Sequence, residues 1–326
     1  MNKRKLSEIS RPIKFELEQF NDLFQDSLKS KVGLVDLVAK YILRQKGKKI
    51  RPLLVLLSSK VAGGVTERSF RGATLVELLH TATLVHDDVV DSAEKRRGLP
   101  SINAVWKNKV AVLMGDYLLS RGLLISVEGG DFDFLRIVTE TVKRMSEGEL
   151  LQISKTRKLD IDEETYFKII SDKTASLLST CCEIGAASTT DNKEEIQAMR
   201  NFGENLGIAF QIKDDILDFV GSSGLIGKPL GGDIKEKKIT LPLIHSLSIT
   251  EKSRSSKIIK LIKNGKNKTN VTEVIEFVKE SKGIEYAYGV ASTYSANAKK
   301  CLKIFPDSES KLALEALVDF VIDRNN

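Results

Sequence analysis

Apolar residues recur every three or four positions along most of the chain, which is the spacing of one face of an α-helix. Val35, Val38 and Ile42 show this spacing within residues 32–43. It predicts further helices near residues 52–62, 67–91, 102–127, 132–157, 162–188, 194–220, 240–263, 271–280, 284–303 and 308–323. Strand-like alternation is scarce, so we expect an all-α fold.

Turn residues separate these helices. Pro52 suits the first turn of a helix, Gly63 follows the end of that helix, and Ser101 is placed to cap a later one. A glycine-rich loop separates the helix that ends near residue 220 from the one that begins near residue 240. Neither a linker nor a short repeat divides the chain, so we expect residues 1–326 to form one domain.

The charge balance leaves several kinds of partner open. Lys and Arg total 51 against 44 Asp and Glu, which gives a net charge of +7. This excess suits a polyanionic ligand, a membrane surface or nucleic acid, and it equally suits an ordinary solvated surface.

The cysteines and the N-terminus bear on location. Cys181, Cys182 and Cys301 lack metal-ligand spacing, and an odd count with two adjacent residues disfavours a disulfide framework. The basic N-terminus precedes no apolar stretch, and no run approaches the roughly 18 apolar residues of a membrane span. We therefore expect a cytoplasmic protein.

Three carboxylates close the helix predicted over residues 67–91. Asp87 and Asp91 are four residues apart and project from one face, with Asp88 beside them. Carboxylates at a helix C-terminus face the unfavourable end of the helix dipole, so a cation should compensate them. Mg²⁺ prefers hard oxygen ligands and shares its shell with substrate phosphates. An acidic helix end that faces solvent is the alternative.

The same spacing returns at Asp214, Asp215 and Asp218 within another apolar helix. Two copies on two long helices are far less easily explained by chance than one. If the helices face each other, they form a cleft with carboxylates on both walls, which several divalent cations would stabilise. We therefore expect Mg²⁺ ions that bridge a diphosphate in this cleft.

Basic residues lie near both acidic clusters in the sequence. They are Lys48, Arg51, Arg96, Arg97, Lys173, Lys228 and Lys238. Any one of them alone is most simply a solvated side chain. As a set they favour phosphate binding, because Arg makes paired contacts with phosphate and Lys supplies a point charge. A diphosphate clamped by metal ions and cationic side chains is stabilised as a leaving group.

Together these motifs resemble the all-trans polyprenyl diphosphate synthases, most closely the long-chain octaprenyl, heptaprenyl and solanesyl type. The matching stretches cover nearly the whole chain and are residues 47–52, 80–91, 96–98, 115–117, 148–149, 173–174, 211–218 and 227–228. The basic loop departs slightly, with Lys46 in place of a glycine and Lys49 in place of an arginine. The resemblance implies the isoprenoid synthase fold, a large single-domain bundle of mostly antiparallel helices around a central active-site cavity.

The resemblance also implies a role for each candidate residue. The Mg²⁺ ligands would be Asp87, Asp91 and Asp214, supported by Asp88, Asp215 and Asp218. The allylic diphosphate would be held by Arg96, Lys173 and Lys228. The isopentenyl diphosphate would be held by Lys48, Arg51, His80 and Arg97. Thr174 and Gln211 would direct oxygen dipoles at a carbocation, and Asp233 and Lys238 would close the site.

The implied reaction is ionisation of an allylic diphosphate such as farnesyl diphosphate, attack by the double bond of isopentenyl diphosphate, and loss of a proton. Members of the family are usually homodimers. No nucleic-acid partner is expected, and release of a greasy product would bring peripheral contact with a membrane.

Product length should depend on residues one and two turns before Asp87, which would line the tunnel for the growing chain: Thr83, Ala82 and Leu79. Short-chain members carry bulky aromatic residues at the fourth or fifth position before the motif, whereas Thr83 and Ala82 are small. This favours a long-chain product for a quinone side chain over a geranylgeranyl or farnesyl product. A bulky residue elsewhere would be the alternative floor, and the candidates are Trp106, Tyr117 and Phe132.

Three other functions share parts of the pattern. A class I terpene cyclase would carry a second motif built on Asn, Ser and Glu, where this chain has aspartates. A His-Asp metal phosphohydrolase would need more ligands than His80, His86 and His245 supply. A catalytically inactive partner subunit or a helical binding module would lack one aspartate motif, and both are intact. We therefore expect a prenyltransferase.

Overall fold

The protein is helical almost throughout, and the expected all-α class is confirmed. The computed structural model describes residues 6–45, 47–220, 230–264 and 267–323. The helices are α1 (Leu6–Ile9), α2 (Lys14–Ser27), α3 (Gly33–Arg44), α4 (Ile50–Ala62), α5 (Glu67–Val90), α6 (Ile102–Glu128), α7 (Phe132–Lys158), α8 (Glu163–Ile170), α9 (Ser176–Ala187), α10 (Lys193–Val220), α11 (Gly232–Lys235), α12 (Leu241–Ser248), α13 (Lys252–Lys263), α14 (Lys268–Glu280), α15 (Gly283–Cys301) and α16 (Glu309–Asp323). Short 3₁₀ turns lie at Arg11–Ile13 and Leu302–Ile304.

The structure differs from the predicted helices in three places. Helix α2 was absent from the prediction, because only Phe20 and Phe24 of its residues are buried and its apolar stripe is narrow. The helix expected over 162–188 is interrupted by a π-helical turn at Ser171–Ala175, which inserts one extra residue between α8 and α9. The helix expected over 240–263 is two helices, α12 and α13, and neither Gly nor Pro marks the break at residues 249–251.

Two clusters of buried side chains form the core. The larger one joins α4, α5, α6 and α9, and the second joins α8, α12, α14 and α15. Helix α10 contributes to both, with Phe202 in the first cluster and Ile212 in the second. Helix α9 is buried along all of its 12 residues. The single domain stays a prediction.

Helix α6 is the one helix in the described part of the chain that is long and apolar enough to cross a membrane by length and composition, with a mean hydropathy of 1.6 over its most apolar stretch. A third of that stretch is buried, and α6 packs along α5. Its outer side exposes Leu113, Leu124 and Val127, which are 59%, 41% and 49% accessible. The helix therefore presents an apolar face that no other described element covers.

A small hairpin follows α5. Strands β1 (Lys95–Arg96) and β2 (Leu99–Pro100) pair antiparallel. Arg97 and Gly98 connect them with φ angles of 51° and 81°, the left-handed pair of a tight hairpin turn. Ser101 precedes α6 as expected, but its hydroxyl donates to the carbonyl of Ala93 at 2.5 Å instead of capping the helix. The hairpin holds both arginines beside the end of α5.

Candidate active site

The first aspartate cluster lies at the C-terminal end of α5. Asp87 and Asp91 are exposed, whereas Asp88 is 2% exposed. The Oδ1 atom of Asp88 accepts hydrogen bonds from Nε and Nη2 of Arg96 at 2.7 and 2.6 Å. The middle carboxylate therefore anchors the hairpin, whereas Asp87 and Asp91 remain open to solvent.

Asp87 lies in a mixed electrostatic environment. Desolvation raises its pKa, and the nearby carboxylates of Glu149 and Asp91 raise it further. Lys173 and Arg96 act in the opposite direction. The carboxylate of Asp87 is thus within electrostatic reach of two of the residues predicted to hold the allylic diphosphate.

The second cluster repeats the burial of the middle aspartate. Asp215 is 4% exposed, and its two oxygens accept hydrogen bonds from the Tyr166 hydroxyl at 2.7 Å and from Nε2 of Gln211 at 2.8 Å. Burial, with repulsion from Asp233, raises the pKa of Asp215 to about 8. Asp215 is therefore a buried carboxylate held by protein donors, as Asp88 is in the first cluster.

Asp218 fixes the segment that crosses the second cluster. Its carboxylate accepts the backbone N–H groups of Gly232 and Asp233 at 2.9 and 3.1 Å. Burial and the nearby Asp218 raise the pKa of Asp233 to about 6, against the opposing charge of Lys238. Lys238 is within electrostatic reach of both Asp233 and Asp91. Lys238 therefore lies between the two aspartate clusters.

The carboxylates fit Mg²⁺ as shared ligands. In residues 6–45, 47–220, 230–264 and 267–323, no group of three or more His, Cys, Asp or Glu side chains could hold a metal ion without other ligands. Mg²⁺ typically takes one or two carboxylates, several waters and substrate phosphate oxygens. It therefore does not need three protein ligands in one group, and exposed carboxylates such as Asp87 and Asp91 suit it. The repulsion that raises the pKa of Asp87 and Asp233 is the kind that a cation relieves.

The π-helical turn carries Lys173 and Thr174. Nζ of Lys173 contacts Oε2 of Glu149 at 2.5 Å and donates to Oε1 of Gln152 at 2.9 Å. The Thr174 hydroxyl donates to Oε1 of Gln211 at 2.9 Å. One cavity brings together the predicted residues Lys173, Thr174, Gln211, Asp215, Asp233 and Lys238.

An ion-pair network centred on Arg144 also holds this turn. Arg144 of α7 contacts Asp172 through Nε at 2.9 Å, and its Nη2 atom donates to Ser171 and to Glu204 of α10, each at 2.9 Å. Gly148 lets α7 approach closely, since a side chain there would crowd Asp172 and the backbone of Lys173. The network therefore ties the turn to α7 and α10.

A second group of predicted residues lines a cavity of about 350 Å³ beside α4 and the hairpin: Lys48, Arg51, His80 and Arg97. Burial lowers the pKa of His80 to about 2, and Arg51 and Arg97 add to the shift. Glu77 shares the cavity, and burial raises its pKa although Arg51 and Arg97 oppose the shift. In the described structure, the buried Nε atom of Arg51 makes no hydrogen bond. The cavity is basic and suited to an anion.

The residues predicted to set product length lie on α5. Ala82 and Leu79 are each 2% exposed, and the half-buried Thr83 donates to the carbonyl of His80 at 2.8 Å. Of the alternative floor residues, Phe132 is 66% exposed, so it does not lie in the interior. Lys228, predicted to hold the allylic diphosphate, lies outside the described residues.

Several residues of the site have no role predicted from the sequence. Tyr166 lies outside the stretches that carry the resemblance, and Glu149 lies within one of them without an implied role. Glu149 and Gln152 are three residues apart on α7, a spacing that places both on one helix face and offers a weak signal. Nothing in the sequence indicated that Glu77 and Arg144 belong to the site, because the residues that they contact are distant in sequence.

Comparisons with known proteins agree with this geometry. A family model described as polyprenyl synthetase matches residues 33–280. The chain is 34% identical to the all-trans-nonaprenyl-diphosphate synthase (geranyl-diphosphate specific) of Rhodobacter capsulatus, over 97% of each chain. It is 32% identical to the geranylgeranyl diphosphate synthase of Saccharolobus solfataricus, over 98% of this chain and 96% of that one.

The fold is also that of solved structures. A polyprenyl synthase from Caulobacter crescentus CB15, crystallised with calcium and isoprenyl diphosphate, superposes with a TM-score of 0.91 at 31% identity, over 100% of both chains. The isoprenoid synthase fold implied by the resemblance is therefore confirmed.

Proposed function

The chain belongs to the polyprenyl synthetase family and is a trans-prenyl diphosphate synthase, and we propose that it makes a long-chain all-trans polyprenyl diphosphate for quinone side chains. Its substrates are isopentenyl diphosphate and an allylic diphosphate, for which we propose farnesyl diphosphate. Relatives of similar identity are named for nonaprenyl and for geranylgeranyl products, so the proposed length rests on residues of this chain.

The small size of Ala82 and Thr83 carries the proposed length. They lie five and four residues before Asp87 on α5, respectively, which is about 6 to 8 Å along the helix axis. Ala82 is buried and thus faces protein instead of solvent. No bulky side chain stands at these two positions, so α5 leaves room there for a chain that grows past them.

The test is a condensation assay read by mass spectrometry. With isopentenyl and farnesyl diphosphates, we expect a ladder of products that ends well beyond the primer. Ala82→Phe should shorten the longest product, because its ring would obstruct the tunnel, whereas the near-isosteric control Ala82→Ser should keep the original distribution. A single addition by the unaltered enzyme would refute the long-chain proposal while leaving the reaction class intact.

Two groups of cationic residues would each bind one of the two substrates. Lys173 and Arg96 flank Asp87 and would hold the allylic diphosphate together with Lys228. The second cavity, with Lys48, Arg51, His80 and Arg97, would hold isopentenyl diphosphate. Arg96 also lines the adjoining part of that cavity beside Arg97 and His80, so it borders both binding regions.

A chain of hydrogen bonds would orient the groups that face the carbocation. Tyr166 and Gln211 both donate to Asp215, and this fixes Nε2 of the Gln211 amide toward the carboxylate. Oε1 of Gln211 consequently points toward Thr174. Two oxygen dipoles are therefore held beside Lys173, where positive charge would develop.

Asp87, Asp91 and Asp214 would hold Mg²⁺, which when bound neutralises charge on the departing diphosphate. The Caulobacter relative was crystallised with calcium and isoprenyl diphosphate, which supports the use of a divalent cation. Asp88, Asp215 and Asp218 would act in support, since protein donors engage their carboxylates. Asp233 and Lys238 would close the site over the bound diphosphate.

We also infer that the exposed apolar face of α6 is covered by a second copy of the chain. Leu113 and Leu124 lie on this face, and a homodimer would remove both from water. Light scattering should give twice the chain mass for the unaltered protein and the monomer mass for the double variant Leu113→Lys, Leu124→Lys. Leu312→Lys, an exposed site on α16, is the control and should leave the dimer intact.

A further inference from the structure

The excess positive charge of the protein is concentrated in one segment. Residues 250–268 contain seven basic residues and one acidic residue, a net charge of +6, whereas the rest of the chain contains 44 basic and 43 acidic residues. The segment spans α13 and reaches the first residue of α14. Charge localised in this way creates a positive potential over one face of the protein.

Helix α13 presents three lysines away from the core. Ile258 and Ile262 are 3% and 0% exposed, and Lys260, midway between them in sequence, points to the opposite side of the helix. Lys252 and Lys263 lie within about 80° of Lys260 around the helix axis. All three are exposed, and we refer to Lys252, Lys260 and Lys263 as the lysine stripe.

The other cations of α13 are used within the protein. Arg254 and Lys257 pair with Glu280 and Glu273 of α14 at 2.6 and 2.7 Å. Among the described residues, no carboxylate forms an ion pair with the lysine stripe. Ile249, just before α13, is 60% exposed. This face thus offers unpaired positive charge beside an apolar side chain.

Helix α14 contacts both α13, which carries the lysine stripe, and the segment near the active site. Val271 of α14 packs directly against Gly231, at the space that a side chain on this glycine would fill. Gly231 begins the segment that carries Asp233 and Lys238 over the aspartate clusters. A surface bound by α13 would therefore lie close to the segment that covers the site.

We propose that the lysine stripe docks the enzyme on an anionic phospholipid surface. The choice of a bilayer over another polyanion rests on the proposed function, because a long prenyl chain partitions from water into lipid. The lysines contact headgroups and Ile249 reaches the interface. Each lysine near an anionic surface raises binding roughly fivefold, so the stripe contributes roughly 100-fold, and salt weakens it.

The test is flotation of the full-length enzyme with vesicles of phosphatidylcholine, with and without phosphatidylglycerol. We expect salt-sensitive binding only to the anionic vesicles. The triple variant Lys252→Gln, Lys260→Gln, Lys263→Gln should lose roughly 100-fold in binding. It should keep its condensation rate in detergent solution, which separates a failure of docking from a failure of the proposed function.

A matched control removes the same charge from scattered exposed lysines: Lys14→Gln, Lys193→Gln, Lys303→Gln. It should bind like the unaltered enzyme. Equal losses in both triple variants would reduce the effect to net charge and overturn the proposal. Absence of binding to anionic vesicles, or tighter binding to an oligonucleotide than to vesicles, would overturn it as well.

Discussion

Arg144 allows a direct test of whether the π-helical turn positions Lys173 and Thr174. Its guanidinium joins Asp172 in the turn to Glu204 on α10, at 2.9 Å in both contacts. Arg144→Met keeps the aliphatic stem and removes the charge, so the two carboxylates lose their shared cation. The turn then loses its tie to α7 while Lys173 itself is unchanged.

The expected loss of stability follows from burial. Side chains of the network are 29%, 11% and 23% exposed, between a surface pair worth at most about 1 kcal/mol and a buried pair whose disruption costs about 3 to 5 kcal/mol. We expect about 2 kcal/mol, which lowers the melting temperature by roughly 3 °C in a chain of this length. Displacement of the turn by about 1 Å should lower kcat by up to roughly 100-fold.

Steady-state kinetics separate positioning from general destabilisation. Arg144→Met should lower kcat and weaken binding of the allylic substrate, leave KM for isopentenyl diphosphate unchanged, and be partly rescued in Arg144→Lys. Arg68→Met is the matched control, since Arg68 pairs with Asp131 and Asp133 about 28 Å along α5 from Asp87. An Arg144→Met enzyme with normal kcat, or an equal kcat loss in Arg68→Met, would refute the positioning role.

Three further outcomes follow from the site. Because the folded-state pKa of His80 is about 2, only the unfolded chain gains its proton below about pH 6.5, and this proton favours unfolding by about 2 kcal/mol more at about pH 5 than at pH 7. In urea unfolding, the change in stability from pH 7 to about pH 5 should therefore be about 2 kcal/mol more unfavourable for the unaltered protein than for His80→Asn, since the raised pKa values of Asp215 and Asp233 affect both proteins alike. Gly115→Val should lower stability by about 1 to 3 kcal/mol in thermal melts, because a side chain there overlaps the His86 ring. A chelator should abolish condensation but change the melting temperature of the substrate-free enzyme little, because Mg²⁺ takes most of its ligands from water and substrate phosphates and protein donors already hold Asp88 and Asp215; a large drop would contradict this.

The sequence predicts those parts of the site that depend on spacing within one helix. Asp87 and Asp91 share a face because they are four residues apart, and Asp214 and Asp218 repeat that spacing. Burial of Asp88 and Asp215 could not be predicted in this way, because it depends on Arg96 in the hairpin and on Tyr166 in α8. Contacts with residues of other helices or strands depend on tertiary packing, which spacing within one helix does not predict.

The helix boundaries show the same limit. Most helices follow from apolar periodicity and turn residues, as at Gly63 after α4. The turn at Ser171–Ala175 leaves apolar residues on both sides in plausible helical spacing, so one inserted residue escapes notice. The break between α12 and α13 at residues 249–251 has no Gly or Pro, and the helix after it directs Ile258 and Ile262 into the second core cluster.

The π-helical turn also limits how this chain can change over evolutionary time. Deletion of one residue from Ser171–Ala175 would restore ordinary helical winding without turning α9 relative to α8, because the wider turn already absorbs one extra residue. Helix α9, which is buried along its whole length, could therefore keep its surroundings. The loss would fall on the turn itself, since Lys173 and Thr174 would no longer project from it into the active-site cavity together. A change in the length of this segment is thus opposed by the active site and not by the core.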